Sequence, residues 1–242
     1  MRIITIANQK GGTGKTTTAH AILAGAAGRG LRALGVDFDP QGNLSYMMGA
    51  KGGQPGAYDL IQGRPPRLVI QHTEHGDIIP GQMETALINH GGQLARALEP
   101  VKAGYDVLVI DSPPTLCAAL GNALEAATDI LIPMQADPLS LRGLVQIVEA
   151  ARHYNPRAVI LGVFLMKYNP RSVINRNMAD AIRAGCKELG IPFIDAPIRE
   201  GVAVREAQLL QTSLFAYAPR SKPAADFEAL LDAIDIKTKK GD

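Results

Sequence analysis

Cysteine is scarce in this sequence: only Cys117 and Cys186 occur among 242 residues. That excludes a disulfide framework, and neither thiol has a neighbour at metal-ligand spacing. Reduced thiols in a cytosolic protein are the reading. The five histidines, His20, His72, His75, His90 and His153, show no zinc spacing either. His72 and His75 flank Glu74 in a polar stretch that reads as a solvated loop, so no Cys/His metal site is expected. No window of about 18 apolar residues exists, which excludes a membrane-spanning helix. The apolar run Ile3–Ala7 is cut off by Asn8, Gln9 and Lys10, too soon for a signal peptide. Charge of one sign is also missing, since the net charge is only +2. It is unevenly spread, however. Residues 1–150 carry 11 basic and 13 acidic side chains, whereas 152–222 carry 11 and 5. The second half can therefore present a surface to a polyanion.

What is present is ordinary for a folded globular chain: 46% hydrophobic and 20% charged residues. Apolar strand-like runs alternate with helix-like segments. Strands are expected at Ile3–Ala7, Leu31–Val36, Ile78–Ile79, Tyr105–Ile110, Ile130–Met134, Val159–Met166 and Phe193–Ile194. Helices are expected at Thr16–Arg29, Glu84–Leu98, Thr115–Ala127, Ser140–Tyr154 with Ser140 as N-cap, Ile174–Leu189 and Ala224–Ile234. Residues 49–76 read mostly as loop with a short helix. The alternation implies an α/β fold, a mostly parallel twisted sheet with helices on both faces. No repeat or linker divides the chain, so residues 1–242 are read as one domain. Ligands in such sheets bind at the carboxyl ends of the strands.

Three motifs fall at those ends. The first is Asn8-Gln9-Lys10-Gly11-Gly12-Thr13-Gly14-Lys15-Thr16-Thr17, directly after the first strand. It is close to the P-loop pattern, with Lys10 where the first glycine is usual. Its glycines let backbone N–H groups turn inward to cradle phosphates, and the next helix offers its positive N-terminus. Lys15 is expected to reach the β- and γ-phosphates, and the Thr16 hydroxyl to bind Mg. These residues point to a Mg-dependent ATPase using ATP and releasing ADP. The second motif is Asp111 at a strand end, followed by Ser112-Pro113-Pro114, which suits a further Mg contact through water. The third is Asp37-Phe38-Asp39-Pro40-Gln41-Gly42-Asn43. Asp39 there can orient the attacking water, or Asp-Pro-x-Gly can simply make a turn.

In order and spacing these three motifs resemble the ParA/Soj partition ATPases of the ParA–MinD, deviant Walker A superfamily. The resemblance extends to Ile132-Pro133-Met134-Gln135, Ser140-Leu141-x-Gly143-Leu144, Ile198-Arg199-Glu200-x-Val202 with Glu206-Ala207, and Tyr217-Ala218-Pro219-Arg220-Ser221-Lys222. It thus covers nearly the whole chain. It implies that Lys10 is the signature lysine, which in the family reaches the other subunit's nucleotide in an ATP-sandwich homodimer. It implies that Asp39 is the hydrolytic aspartate, set beside Mg with Thr16 and Asp111, the Walker B residue. Pro197, Ile198 and Arg199 would contribute to the adenine pocket. The resemblance further implies ATP-dependent, non-specific binding of double-stranded DNA, with Arg220 and Lys222 the first candidates. Hydrolysis would be stimulated by a ParB-like centromere-binding protein. The expected role is plasmid or chromosome partitioning, with the ATP form on the nucleoid.

The chain also departs in places from the pattern of the family it resembles. Its P-loop begins at residue 10, so no N-terminal helix-turn-helix and no operator-specific binding are expected. Pro223 follows Lys222 where a small residue is usual, which puts the start of the last helix in question. Four other readings are weighed beside partition. A MinD-like ATPase needs a C-terminal amphipathic helix with bulky apolar residues, and the tail from Ile234 onward has little apolar surface. A nitrogenase-reductase relative needs cluster-binding cysteines, which Cys117 and Cys186 do not match. A tyrosine autokinase needs a C-terminal tyrosine cluster, and only Tyr217 lies near the end. A positioning ATPase that moves cargo other than DNA would use the same core.

Overall fold

The computed structural model describes residues 1–138 and 140–238. Eight strands form one sheet: β1 (Arg2–Ile6), β2 (Ala33–Asp37), β3 (Gln71–Thr73), β4 (Gly76–Ile79), β5 (Val107–Asp111), β6 (Asp129–Gln135), β7 (Val159–Tyr168) and β8 (Ile198–Arg199). Their order is β3-β4-β2-β5-β1-β6-β7-β8. Every pairing is parallel except the hairpin of β3 with β4. The central strands need no polar face, because helices cover the sheet on both sides. Hence β5 is buried at all five positions and β6 at all but its last.

Ten helices are described: α1 (Lys15–Gly28), α2 (Asn43–Met47), α3 (Ala57–Ile61), α4 (Gln93–Leu98), α5 (Ala118–Ala126), α6 (Ser140–Tyr154), α7 (Val173–Glu188), α8 (Val202–Leu209), α9 (Leu214–Tyr217) and α10 (Lys222–Ala233). Successive strand residues point to opposite faces. Ile4 and Ile6 accordingly pack with Ile22 and Leu23 of α1 and Phe227 and Leu230 of α10. Ile3 points the other way, toward Leu94 of α4 and Ala123 of α5. A further cluster joins β6 and β7 to α5, α6 and α7. Among the described residues no helix is long and apolar enough to cross a membrane.

Several expectations change. The segment Glu84–Leu98 is not one helix: a 3-10 turn at Met83–Leu87 is separated from α4 by Asn89-His90-Gly91-Gly92, whose glycines break the helical path. Phe193 makes only an isolated bridge to Val163, and the edge strand lies at Ile198–Arg199 instead. Ser140 is already inside α6, with its hydroxyl donating to the Gln135 carbonyl at 2.7 Å. Pro223 does not disturb α10. It sits in the first turn, where a missing N–H costs nothing, and Ser221 caps the helix by accepting from Ala224 N.

Candidate functional site

The loop after β1 is pinned from several sides. Asn8 is buried and donates through Nδ2 to the Pro133 carbonyl at 2.7 Å, while its Oδ1 accepts from Lys10 N at 3.0 Å. The Lys10 carbonyl accepts from Lys15 Nζ at 3.2 Å and from the Thr13 hydroxyl at 3.3 Å. Gly12 (φ 74°) and Gly14 (φ 91°) adopt left-handed backbone that a side chain would strain. A Cβ on Gly14 would also collide with Met166. Gly11 and Gly12 form a turn from Lys10 to Thr13, and the amide N–H groups of residues 11, 12 and 14–17 find no protein acceptor among the described residues. A ring of unpaired N–H groups at a helix N-terminus is a site for an anion.

Strand register places the acidic groups alongside. Ile6 and Asp37 both pair with Asp111, so the two aspartates end neighbouring strands. Asp37 is fully buried and is satisfied by Ser45, whose N–H and hydroxyl donate at 2.8 and 2.7 Å. Burial still pushes its carboxyl up to about 6. Asp111 is fully buried too, yet neither of its oxygens has a hydrogen-bond partner among the described residues. Burial and then Asp37 drive its carboxyl well above the usual range, against the opposing pull of the Thr16 hydroxyl and Lys15. Lys15 is itself buried, and burial lowers its pKa while Asp111 and Asp39 favour its charged form. A buried carboxylate left bare beside a hydroxyl is the donor set a hard cation needs. No cluster of three or more His, Cys, Asp or Glu side chains occurs among the described residues. Magnesium requires no such cage, because it keeps waters and takes phosphate oxygens.

Above these groups lies a cavity of about 730 Å³, ample for a nucleotide. Gly11, Gly12, Gly14, Lys15, Thr16, Thr17 and Asp39 line it, and Thr13 is buried in the loop behind them. Asp39 combines both sequence readings: its Oδ1 accepts from Gln41 N at 3.0 Å as a turn residue, and the residue faces the cavity. Lys10 does not line the cavity. Its Nζ is bonded to Asp137 at 2.6 Å. Nor do Pro197, Ile198 and Arg199 reach the wall: Ile198 is buried in the core and Arg199 is engaged with Asp226 at 2.8 Å. The wall is supplied instead by Met166 and Lys167 at the end of β7, by Val204, Arg205 and Gln208 of α8, and by Tyr46 of α2. The β7 residues were findable, since they end an expected strand. Those of α8 were not, because nothing in that short helix of mixed polarity marks it as a wall. Arg220 and Lys222 are exposed at the start of α10, and neither forms an ion pair among the described residues.

A family model described as "AAA domain" matches residues 1–158. The chromosome-partitioning ATPase Soj of Thermus thermophilus is 31% identical, covering 99% of this chain and 98% of that relative. The chain belongs to the ParA/MinD-like family of partition ATPases. The chromosome partitioning protein ParA of Caulobacter vibrioides is 35% identical over 86% of this ParA-like chain and 84% of its own. Among solved structures, the septum site-determining protein MinD of Pyrococcus horikoshii, complexed with Mg-ADP, superposes with a TM-score of 0.82. It is 26% identical and the match covers 97% of this chain and 96% of that one. The ParA-like ATPase core thus spans both the P-loop and the sheet that presents Asp39 and Asp111.

Proposed function

We propose that this ParA-like ATPase is a nucleotide-switched partition protein that binds ATP with Mg, dimerises and holds DNA without sequence preference. The observation that carries the nucleotide reading is the pairing of unsatisfied loop N–H groups with the bare, buried carboxylate of Asp111. Gly11–Thr17 would bind the phosphates, with Lys15 placing its ammonium between them and Asp111. Thr16 and Asp111 would hold the cation, Asp111 through water. Bound Mg supplies charge that offsets the charge developing on the phosphates. Asp39 would orient the water and accept its proton.

Lys10 is half-exposed, and its ion pair with Asp137 is of the kind that contributes about 1 kcal/mol or less. Exchanging Asp137 for a partner subunit's nucleotide is therefore cheap, which supports the sandwich dimer. Basic side chains of residues 152–222, Arg220 and Lys222 first, would neutralise DNA phosphates. A ParB-like protein would stimulate hydrolysis. The likeness to MinD supports a second reading, a positioning ATPase whose cargo is not DNA. One measurement separates the two: affinity for two unrelated duplexes with ATP–Mg and with ADP–Mg. Binding to both duplexes with ATP alone is expected. No binding in either state would leave the ATPase standing and remove DNA as cargo. Asp39→Ala should still bind ATP, hydrolyse it at least tenfold more slowly and accumulate as dimer by light scattering. A strictly monomeric ATP-bound variant would overturn the sandwich.

A further inference from the structure

The Gly12 carbonyl is held by two side chains that belong to neither the P-loop nor α1. Gln135, the last residue of β6, donates to it through Nε2 at 2.7 Å. Lys167, near the end of β7, donates through Nζ at 3.2 Å. The two strands are hydrogen-bonded neighbours, with Gln135 paired to Met166. Lys167 reaches the loop at a conformational cost. It is one of three described non-glycine residues with positive φ, at 53°. The β7–β8 register slips between Met166 and Tyr168, so Lys167 falls at the irregularity. Strained residues of this kind persist where the surroundings hold them, and they gather at functional sites.

A trans peptide points its C=O and its N–H in opposite directions. The oxygen of Gly12 and the N–H of Thr13 belong to one peptide plane. Fixing that oxygen toward Gln135 and Lys167 therefore fixes the Thr13 N–H to the opposite side. Gly12, with no Cβ and φ of 74°, has little of its own to prevent this peptide from flipping. We propose that Gln135 and Lys167 are positioning residues, a two-donor clamp on the Gly12 carbonyl that keeps the phosphate cradle open before nucleotide arrives. The proposal deepens the nucleotide reading above and rests on it. It gives a role to the Gln135 of the Ile-Pro-Met-Gln segment. It also explains why a lysine occupies a backbone position that suits glycine.

Because both donors serve one acceptor, each covers for loss of the other. ADP–Mg is the probe, titrated into the parent, Gln135→Ala, Lys167→Met and the double variant. Lys167→Met keeps the apolar stem and removes only the donor. Each single change should weaken ADP by about twofold at most, and the double change by about tenfold, more than the product of the two singles. Unchanged affinity in a folded double variant overturns the clamp. A loss in Lys167→Met alone as large as in the double variant also overturns it, because Lys167 would then act on the nucleotide directly. Lys167→Gly relieves the strained backbone, so it should keep the parent's melting temperature while losing affinity as Lys167→Met does. If the parent binds no ADP, the nucleotide reading fails, and the clamp is judged without ligand. A crystal structure of the double variant should then show the Gly12 peptide rotated from its parent orientation; an unrotated peptide overturns the clamp.

Discussion

At the scale of single residues, Lys15 and Asp111 depend on one another. Each is buried: Asp111 is the main influence favouring the charged form of Lys15 against desolvation, while Lys15, after the Thr16 hydroxyl, opposes the upward drive that burial and Asp37 exert on the Asp111 carboxyl. Lys15→Ala removes the cation proposed to meet the phosphates and takes from Asp111 the one positive charge that opposes its rise. Fluorescent-ADP titration should show affinity lowered by at least 100-fold in a folded variant, the loss expected for a buried charge-assisted contact. The motif carrying Lys15 was legible because its glycines and its place after a strand have one physical use. Pro197, Ile198 and Arg199 do not line the cavity, because resemblance carries a segment's position without its side-chain direction, and Arg199 turns to Asp226. His20 in α1 offers an independent test. Burial, and secondarily His75, lowers its pKa from 6.5 to about 4. The folded state thus holds it neutral, while the unfolded chain takes up a proton below 6.5. Stability from this group is complete above pH 6.5 and is lost as pH falls toward 4. At about 1.4 kcal/mol per unit the loss is on the order of 3 kcal/mol. Asp37 and Asp111 titrate in the opposite sense, so the parent must be compared with His20→Gln at each pH. Urea midpoints should fall more steeply from pH 7 to pH 4.5 in the parent.

At the scale of elements, α1 is held by close approach to α10. Gly25 faces Leu231, and a Cβ on Gly25 would overlap the Leu231 side chain. Both residues are buried, so the helices have no room to yield. Gly25→Val should cost about 1–3 kcal/mol by overpacking, and Leu231→Ala should restore part of it. A double-mutant cycle by chemical denaturation measures the coupling; additive losses would mean that α1 and α10 shift freely. The long buried strands β1, β5, β6 and β7 were legible because burial on both faces leaves an uninterrupted apolar run. Elements whose burial is partial were not: β3 is exposed at its centre, and α2, α8 and α9 are short. The expected helix over Glu84–Leu98 failed for a related reason. Its apolar residues at Leu87, Ile88 and Leu94 satisfy helical spacing, but Gly91 and Gly92 interrupt the chain between them, and only tertiary packing decides which signal prevails.

At the scale of the whole molecule, the site and the basic surface lie on different elements. The P-loop and Asp111, the groups proposed to hold nucleotide, follow or end the central strands, whereas Arg220 and Lys222 stand at the N-terminal end of α10, capped by Ser221. Arg199, nearby in sequence order, is spent on Asp226, and Arg183 is paired with Asp180 and Asp195. Those pairs reduce the charge that residues 152–222 can offer a polyanion, which narrows the choice to unpaired side chains such as Arg220 and Lys222. In a two-fold dimer the pair becomes four charges on one assembly. Each phosphate neutralised contributes a log–log salt slope of about −0.9. Replacing both residues with alanine removes up to four such contacts per dimer, so the slope should flatten by up to about 3.6. Affinity should fall equally for unrelated duplexes, because phosphate contacts carry no sequence information. ADP affinity should be unchanged, since the P-loop and Asp111 are untouched. The measurement is ATP-dependent duplex affinity across a salt series for parent and double variant. An unchanged slope would return Arg220 and Lys222 to a solvated edge and move the DNA face elsewhere among the unpaired cations. A loss confined to one duplex would instead mean base readout, which is incompatible with cargo held without sequence preference.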